Sequence, residues 1–118
     1  FGHREDSVQD VVLGIERVVE QAKRSYENAQ IILLGILPYS EHADAIQREW
    51  VKETNAMISK LVKDPRVDFY DIGEAFLEED GSISTRVMAD FLHPTEYGYE
   101  IFARQLEPIL AGKFTKQN

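Results

Sequence analysis

Between Ile31 and Leu37 the chain reads Ile-Ile-Leu-Leu-Gly-Ile-Leu and then meets Pro38. The run is too short for a confident helix and carries no polar alternation, so neither of its faces is made for water. A strand of this kind belongs inside a parallel sheet with helices over both faces. It also needs a strand on each side, because its backbone N–H and C=O groups point to two edges and both rows must be hydrogen-bonded.

The other segments supply part of that environment. From Ser7 to Tyr26, Val8, Val11, Val12, Ile15, Val18, Val19 and Ala22 recur at helical spacing, with Asp6 or Ser7 as N-cap. A second helix is expected from His42 to about Lys63 on Ala45, Ile46, Trp50, Val51, Ala56, Met57, Ile58, Leu61 and Val62, with Pro65 closing it. Val67 to Ile72 alternates Val67 and Phe69 with Asp68 and Tyr70, which predicts a strand nearer the sheet edge. Gly73 to Ala89 has little period and contains the turn Glu78-Glu79-Asp80-Gly81-Ser82, so it is expected to be mostly loop with one helical turn. Thr95 caps a last helix from about Glu96 to Leu110, with Tyr97, Ile101, Phe102, Leu106 and Ile109 on its apolar side. Helix, strand, helix, strand, loop, helix is the order of a doubly wound α/β fold with parallel strands. It offers the apolar strand a neighbour on only one side.

Composition narrows the function. A chain of 118 residues that is 43% hydrophobic has enough apolar mass for one modest core. A net charge of −8 speaks against a nucleic-acid partner, because phosphate binding needs a broad basic surface. With no cysteine there is no disulfide, no thiolate metal site and no Cys nucleophile. No apolar run approaches the roughly 20 residues that span a bilayer as a helix. His3, His42 and His93 lack ligand spacing with a second donor, so neither a metal nor another cofactor is expected.

The stretch with chemical content is Met88 to Glu100, which contains Asp90-Phe91-Leu92-His93-Pro94. A histidine acting as general base needs a carboxylate on Nδ1–H to fix its tautomer and stabilise the imidazolium. Asp90 can reach His93 if the interval bends into a turn, and Pro94 keeps His93 out of helical geometry. The spacing alone equally allows a surface Asp and a partly packed His at the start of a helix.

The surroundings carry more. Asp90-x-x-His93-Pro94, followed by Gly98-Tyr99 and a helix through Leu106-Glu107-Pro108-Ile109-Leu110, resembles the C-terminal block of the SGNH (GDSL-type) serine hydrolases. Ile31 to Pro38 looks like that family's fourth parallel strand, in the form of its platelet-activating-factor acetylhydrolase branch. Val67 to Ile83 looks like the fifth strand and the turn after it. The resemblance implies a flavodoxin-like three-layer α/β/α fold with a parallel sheet, of which residues 1–118 would be a single partial domain, the C-terminal part. It implies His93 as general base and acid and Asp90 as the carboxylate that orients it, in the cleavage of a small O-acyl ester. The family's Gly-Asp-Ser block, which carries the nucleophile, and its Gly-x-Asn block, which helps build the oxyanion hole, have no counterpart here. Glu5-Asp6-Ser7 lacks the glycine and follows no strand, and Phe1-Gly2-His3 looks like the residues just after the Gly-x-Asn block. An N-terminal segment bearing the Ser and the oxyanion donors is therefore the expected partner. The rival expectation is a non-catalytic α/β half-domain that associates with a partner, or with its own copy, through the unpaired strand.

Overall fold

A computed structural model of the protein describes residues 4–61 and 63–117, and the side-chain surroundings of residues 8–60 and 63–112. In chain order the elements are α1 (Arg4–Ser25), β1 (Ile31–Leu34), α2 (Ile46–Leu61), β2 (Val67–Tyr70), a 3-10 turn (Gly73–Phe76) and α3 (Glu96–Gln117). The strands are parallel and in register from Ile31 opposite Val67 to Leu34 opposite Tyr70, with α2 connecting them. Helix α1 packs on α2 and on β1. Helix α3 packs over the 3-10 turn, and its Ile101, Phe102 and Ile109 meet the same core as Leu34 and Tyr70. Side chains alternate along a strand, so Leu33 and Phe69 point the opposite way, toward the α1–α2 layer. The result is a three-layer α/β/α arrangement, as expected.

The apolar strand ends sooner than its composition suggests. Gly35 continues the ladder by donating its N–H to the Tyr70 carbonyl at 2.8 Å. Past the ladder, both backbone groups of Ile36 are bonded by a side chain. Asn55 Oδ1 accepts the Ile36 N–H at 2.8 Å and Asn55 Nδ2 donates to the Ile36 carbonyl at 3.0 Å. A side chain at Gly35 would press within 3.1 Å of the Asn55 amide, which explains the glycine inside an otherwise bulky run. On the other edge of β1, the alternation that sends Ile31 and Gly35 toward β2 turns Ile32 and Leu34 away from it. Among the described residues no further strand stands there. All four β1 residues are accordingly half-buried and not fully covered.

The helices differ from expectation at their ends. Helix α1 begins at Arg4, so Asp6 and Ser7 lie within its first turns and are not its cap. Val18, at the margin of its apolar stripe, is exposed, while Val12 and Val19 are buried. Helix α2 starts at Ile46, after bends over residues 40–45, and Ile46 itself faces solvent. Its buried face is Trp50, Val51, Thr54, Asn55 and Ile58. The Thr54 hydroxyl is satisfied by the Trp50 carbonyl one turn back, at 2.7 Å. Helix α3 does not stop near Leu110 but continues through Pro108 to Gln117. The least anticipated feature is where the core lies. Ile72, Phe76, Ile83, Val87 and Met88 form its buried cluster, and most of them belong to the segment expected to be loop.

Replacing Asn55 by Ala leaves both the Ile36 N–H and its carbonyl without their partner in a half-buried place. The variant is expected to lose about 2–4 kcal/mol of stability, read as a lower urea midpoint with an unchanged slope.

Candidate active site

The segment between Ser84 and Thr95 is irregular but closed on itself. Val87 and Met88 are buried and both donate their N–H to the Ser84 carbonyl at 3.0 Å. Farther along, Thr95 returns its N–H to the Val87 carbonyl at 2.8 Å, so residues 87–95 form a loop tied at its neck. Gly98 completes the neck: a Cβ there would come within 2.5 Å of the Val87 carbonyl and 3.0 Å of Pro94 Cβ, distances only a glycine allows. The Thr95 hydroxyl accepts the Gly98 N–H at 3.1 Å and caps α3 as its sequence position predicts.

Asp90 and His93 sit at the tip. Asp90 Oδ1 accepts the backbone N–H groups of Leu92 at 3.0 Å and His93 at 2.8 Å. Its Oδ2 lies 2.7 Å from His93 Nδ1. An ionised carboxylate only accepts, so Nδ1 carries the proton and Nε2 is the nitrogen turned away from Asp90. These bonds hold the Asp90 carboxyl well below the usual carboxylate range, the imidazole contributing most and the two backbone N–H groups next. The hairpin bend that makes this possible runs through Phe91, whose φ of 59° is left-handed. For a bulky residue that conformation costs about 1–2 kcal/mol, so something must hold it. The Phe91 carbonyl accepts the N–H of Ser40, in the loop after β1, at 2.7 Å. The sequence reading missed Ser40, whose only signal was its place just beyond Pro38.

The pair is open to solvent, with His93 75% and Asp90 57% exposed, and by itself such an ion pair adds little stability. A cavity of about 290 Å³ opens beside the carboxyl ends of the strands, near Ile36, Asn55, Asp71 and Gly73, but neither Asp90 nor His93 lines it. His42 lies at the surface 3.5 Å from Glu41, and His3 is outside the described residues. Asp71 and Asp80 each accept a backbone N–H two residues on, from Gly73 and Ser82, as turn residues do. Tyr97 carries the Arg86 guanidinium 5.0 Å above its ring, and Tyr99 is exposed.

A family model described as GDSL-like lipase/acylhydrolase matches residues 2–101. The chain belongs to that family. Among curated relatives, platelet-activating factor acetylhydrolase IB subunit alpha2 of Rattus norvegicus is 32% identical over 108 residues, which cover 92% of this chain and 47% of that protein. Subunit alpha1 of Homo sapiens is 30% identical over 105 residues, 88% of this chain and 45% of that one. The chain thus spans about half the length of the curated relatives it matches. A solved chain from Streptococcus pneumonia, provisionally described as a platelet activating factor, superposes with a TM-score of 0.79 at 22% identity, over 92% of this chain and 54% of that one. A Bacteroides fragilis structure provisionally described as an acylhydrolase gives 0.70 at 19% identity, over 90% and 52%. At those identities the likeness is one of fold, and it is the three-layer α/β fold of this GDSL-family chain.

Gly98→Ala is expected to cost about 1–3 kcal/mol through the clash at the loop neck, and Thr95→Ala about 1 kcal/mol through the lost cap, both measurable by chemical unfolding. The Asp90 carboxyl is depressed in the folded state, so its stabilising effect is full well above the ordinary carboxylate pKa of about 4 and is lost as pH falls below it. The gap in thermal midpoint between wild type and Asp90→Asn should therefore be wider at pH 6 than at pH 3.

Proposed function

We propose that this chain contributes the base and its orienting carboxylate to a serine-type ester hydrolase that cleaves small O-acyl esters. The observation that supports this most is the way Asp90 holds His93: one oxygen fixes the backbone of the histidine and the other its Nδ1. A base held at both its backbone and its ring is aimed, and Nε2 is left to work. In the proposed reaction a serine Oγ attacks the acyl carbon while His93 Nε2 takes its proton. His93 then gives that proton to the departing alcohol as the acyl-enzyme forms, and a water activated by the same nitrogen releases the acid. Asp90 stays ionised throughout and stabilises the imidazolium, consistent with a carboxyl whose pKa is depressed. The serine and the oxyanion donors come from a further segment, which pairs with the free edge of β1 and covers the exposed His93. The acetyl group named in the acetylhydrolase relatives is the favoured acyl group.

The free edge of β1 also supports a second reading, in which the chain is a non-catalytic half-domain that joins a partner or a copy of itself through that strand.

The test is labelling with a fluorophosphonate, which reports an activated serine, combined with acetyl-ester kinetics on the full-length protein. The hydrolase reading expects labelling, loss of at least a thousandfold in kcat/KM with His93→Ala, and a kcat loss of similar order with nearly unchanged KM in Asp90→Asn. Equal activity and labelling in all three proteins would remove His93 and Asp90 from the mechanism, and absence of labelling throughout would leave the association reading.

A further inference from the structure

Among the described residues, two that are not glycine adopt left-handed backbone, Ser40 with φ 77° and Phe91 with φ 59°, and they are joined directly by the Ser40 N–H to the Phe91 carbonyl at 2.7 Å. One belongs to the loop after β1 and the other lies between Asp90 and His93. Two unfavourable conformations meeting at one hydrogen bond need a third element to hold them. That element is on α2. Arg48 is only 5% exposed, yet no carboxylate among the described residues lies within ion-pair distance of it. Its charge is met by main-chain carbonyls. Nε donates to Tyr39 at 2.9 Å, Nη1 to Gly81 at 2.7 Å, and Nη2 to Ser40 at 3.1 Å and Glu41 at 3.4 Å. The Glu41 carbonyl also accepts the Ile83 N–H at 2.9 Å, so the two loops gripped by Arg48 are bonded to each other as well.

A buried cation without a counter-ion is costly, and a methionine would fill similar space without that cost. What a methionine lacks is the fork of planar donors that gathers several carbonyls at fixed angles. We propose that Arg48 is a positioning residue for the Asp90–His93 pair: it fixes the 39–41 loop, whose Ser40 holds Phe91 in the left-handed turn that brings His93 onto Asp90. The line runs from helix α2 through the Arg48–Ser40 and Ser40–Phe91 hydrogen bonds to the turn at Phe91, across which Asp90 bonds the imidazole. It rests on the proposed role of His93 for its catalytic consequence, but not for its structural one.

The experiment compares wild type, Arg48→Met, Arg48→Lys and His93→Ala in the full-length protein by amide hydrogen exchange, thermal unfolding and acetyl-ester kinetics. In Arg48→Met the Ser40 and His93 amides should exchange at least about tenfold faster while those of β1 and β2 keep their protection. Its kcat should fall roughly 10- to 100-fold with KM within about twofold, because a base displaced by a fraction of an ångström still leaves binding intact. Arg48→Lys, which keeps the charge and part of the carbonyl contacts, should recover part of both losses. Wild-type exchange at Ser40 and His93 in Arg48→Met would overturn the proposal. So would loss of protection spread evenly over the sheet in both variants, which would make Arg48 a general support of the fold. Should His93→Ala retain full hydrolysis, the catalytic reading falls, while the exchange data still decide whether Arg48 holds the loop.

Discussion

The backbone of β1 must be hydrogen-bonded along two edges, and much of the molecule is organised by how that demand is met. On one edge β2 supplies the partners from Ile31 to Gly35. Just past the ladder, Asn55 takes both backbone groups of Ile36, its amide presenting the donor and acceptor that a neighbouring strand would. This substitution lets the chain leave the sheet at Ile36 and enter the loop that carries Ser40. On the opposite edge the described residues offer Ile32 and Leu34 nothing. In water such an edge is a site for pairing with another strand, whichever chain brings it.

The site follows from a second constraint, that an irregular loop keeps one shape only if it is anchored at several points. Here the anchors are of different kinds. Val87 and Met88 are sunk in the core under α3, Thr95 and Gly98 close the neck on the Val87 carbonyl, and Ser40 holds the tip from outside. Against that frame the Asp90 carboxylate has three donors to accept, all from the two residues that the turn presents to it. The local strain at Phe91 is tolerated because the surrounding contacts outweigh it, which is the usual condition for left-handed backbone in a bulky residue.

The GDSL-like family assignment and the local geometry answer different questions. Membership rests on a match spread over residues 2–101 and tells which fold the elements build. In the proposed reaction a serine, an oxyanion hole and a cover for the imidazole are all needed before a proton can move productively. The proposed activity therefore belongs to a larger assembly than the loop that would drive it.

Periodicity and turn chemistry were enough to find the helices, both strands and the cap at Thr95, because apolar stripes and capping residues act over a few neighbouring positions. The Asp90-to-His93 spacing was legible for the same reason, since its bonds span three residues. The core within 72–88 was not, for a segment without regular structure buries Phe76, Ile83 and Met88 with no period to betray them. Thr54 and Asn55 did stand in line with Trp50, Val51 and Ile58 on α2, a signal that polar residues there were buried, but their partners could not be named. Arg48 gave no local sign, and Ser40 none beyond its place just after Pro38. Their importance comes from carbonyls and amides up to 51 residues away in the chain, at Gly81 and Phe91, and only folding brings those groups within hydrogen-bonding distance. Local pattern determined the elements and put Asp90 within reach of His93, and tertiary contact decided how the two are held, because a hydrogen bond depends on position in space and not on position in sequence.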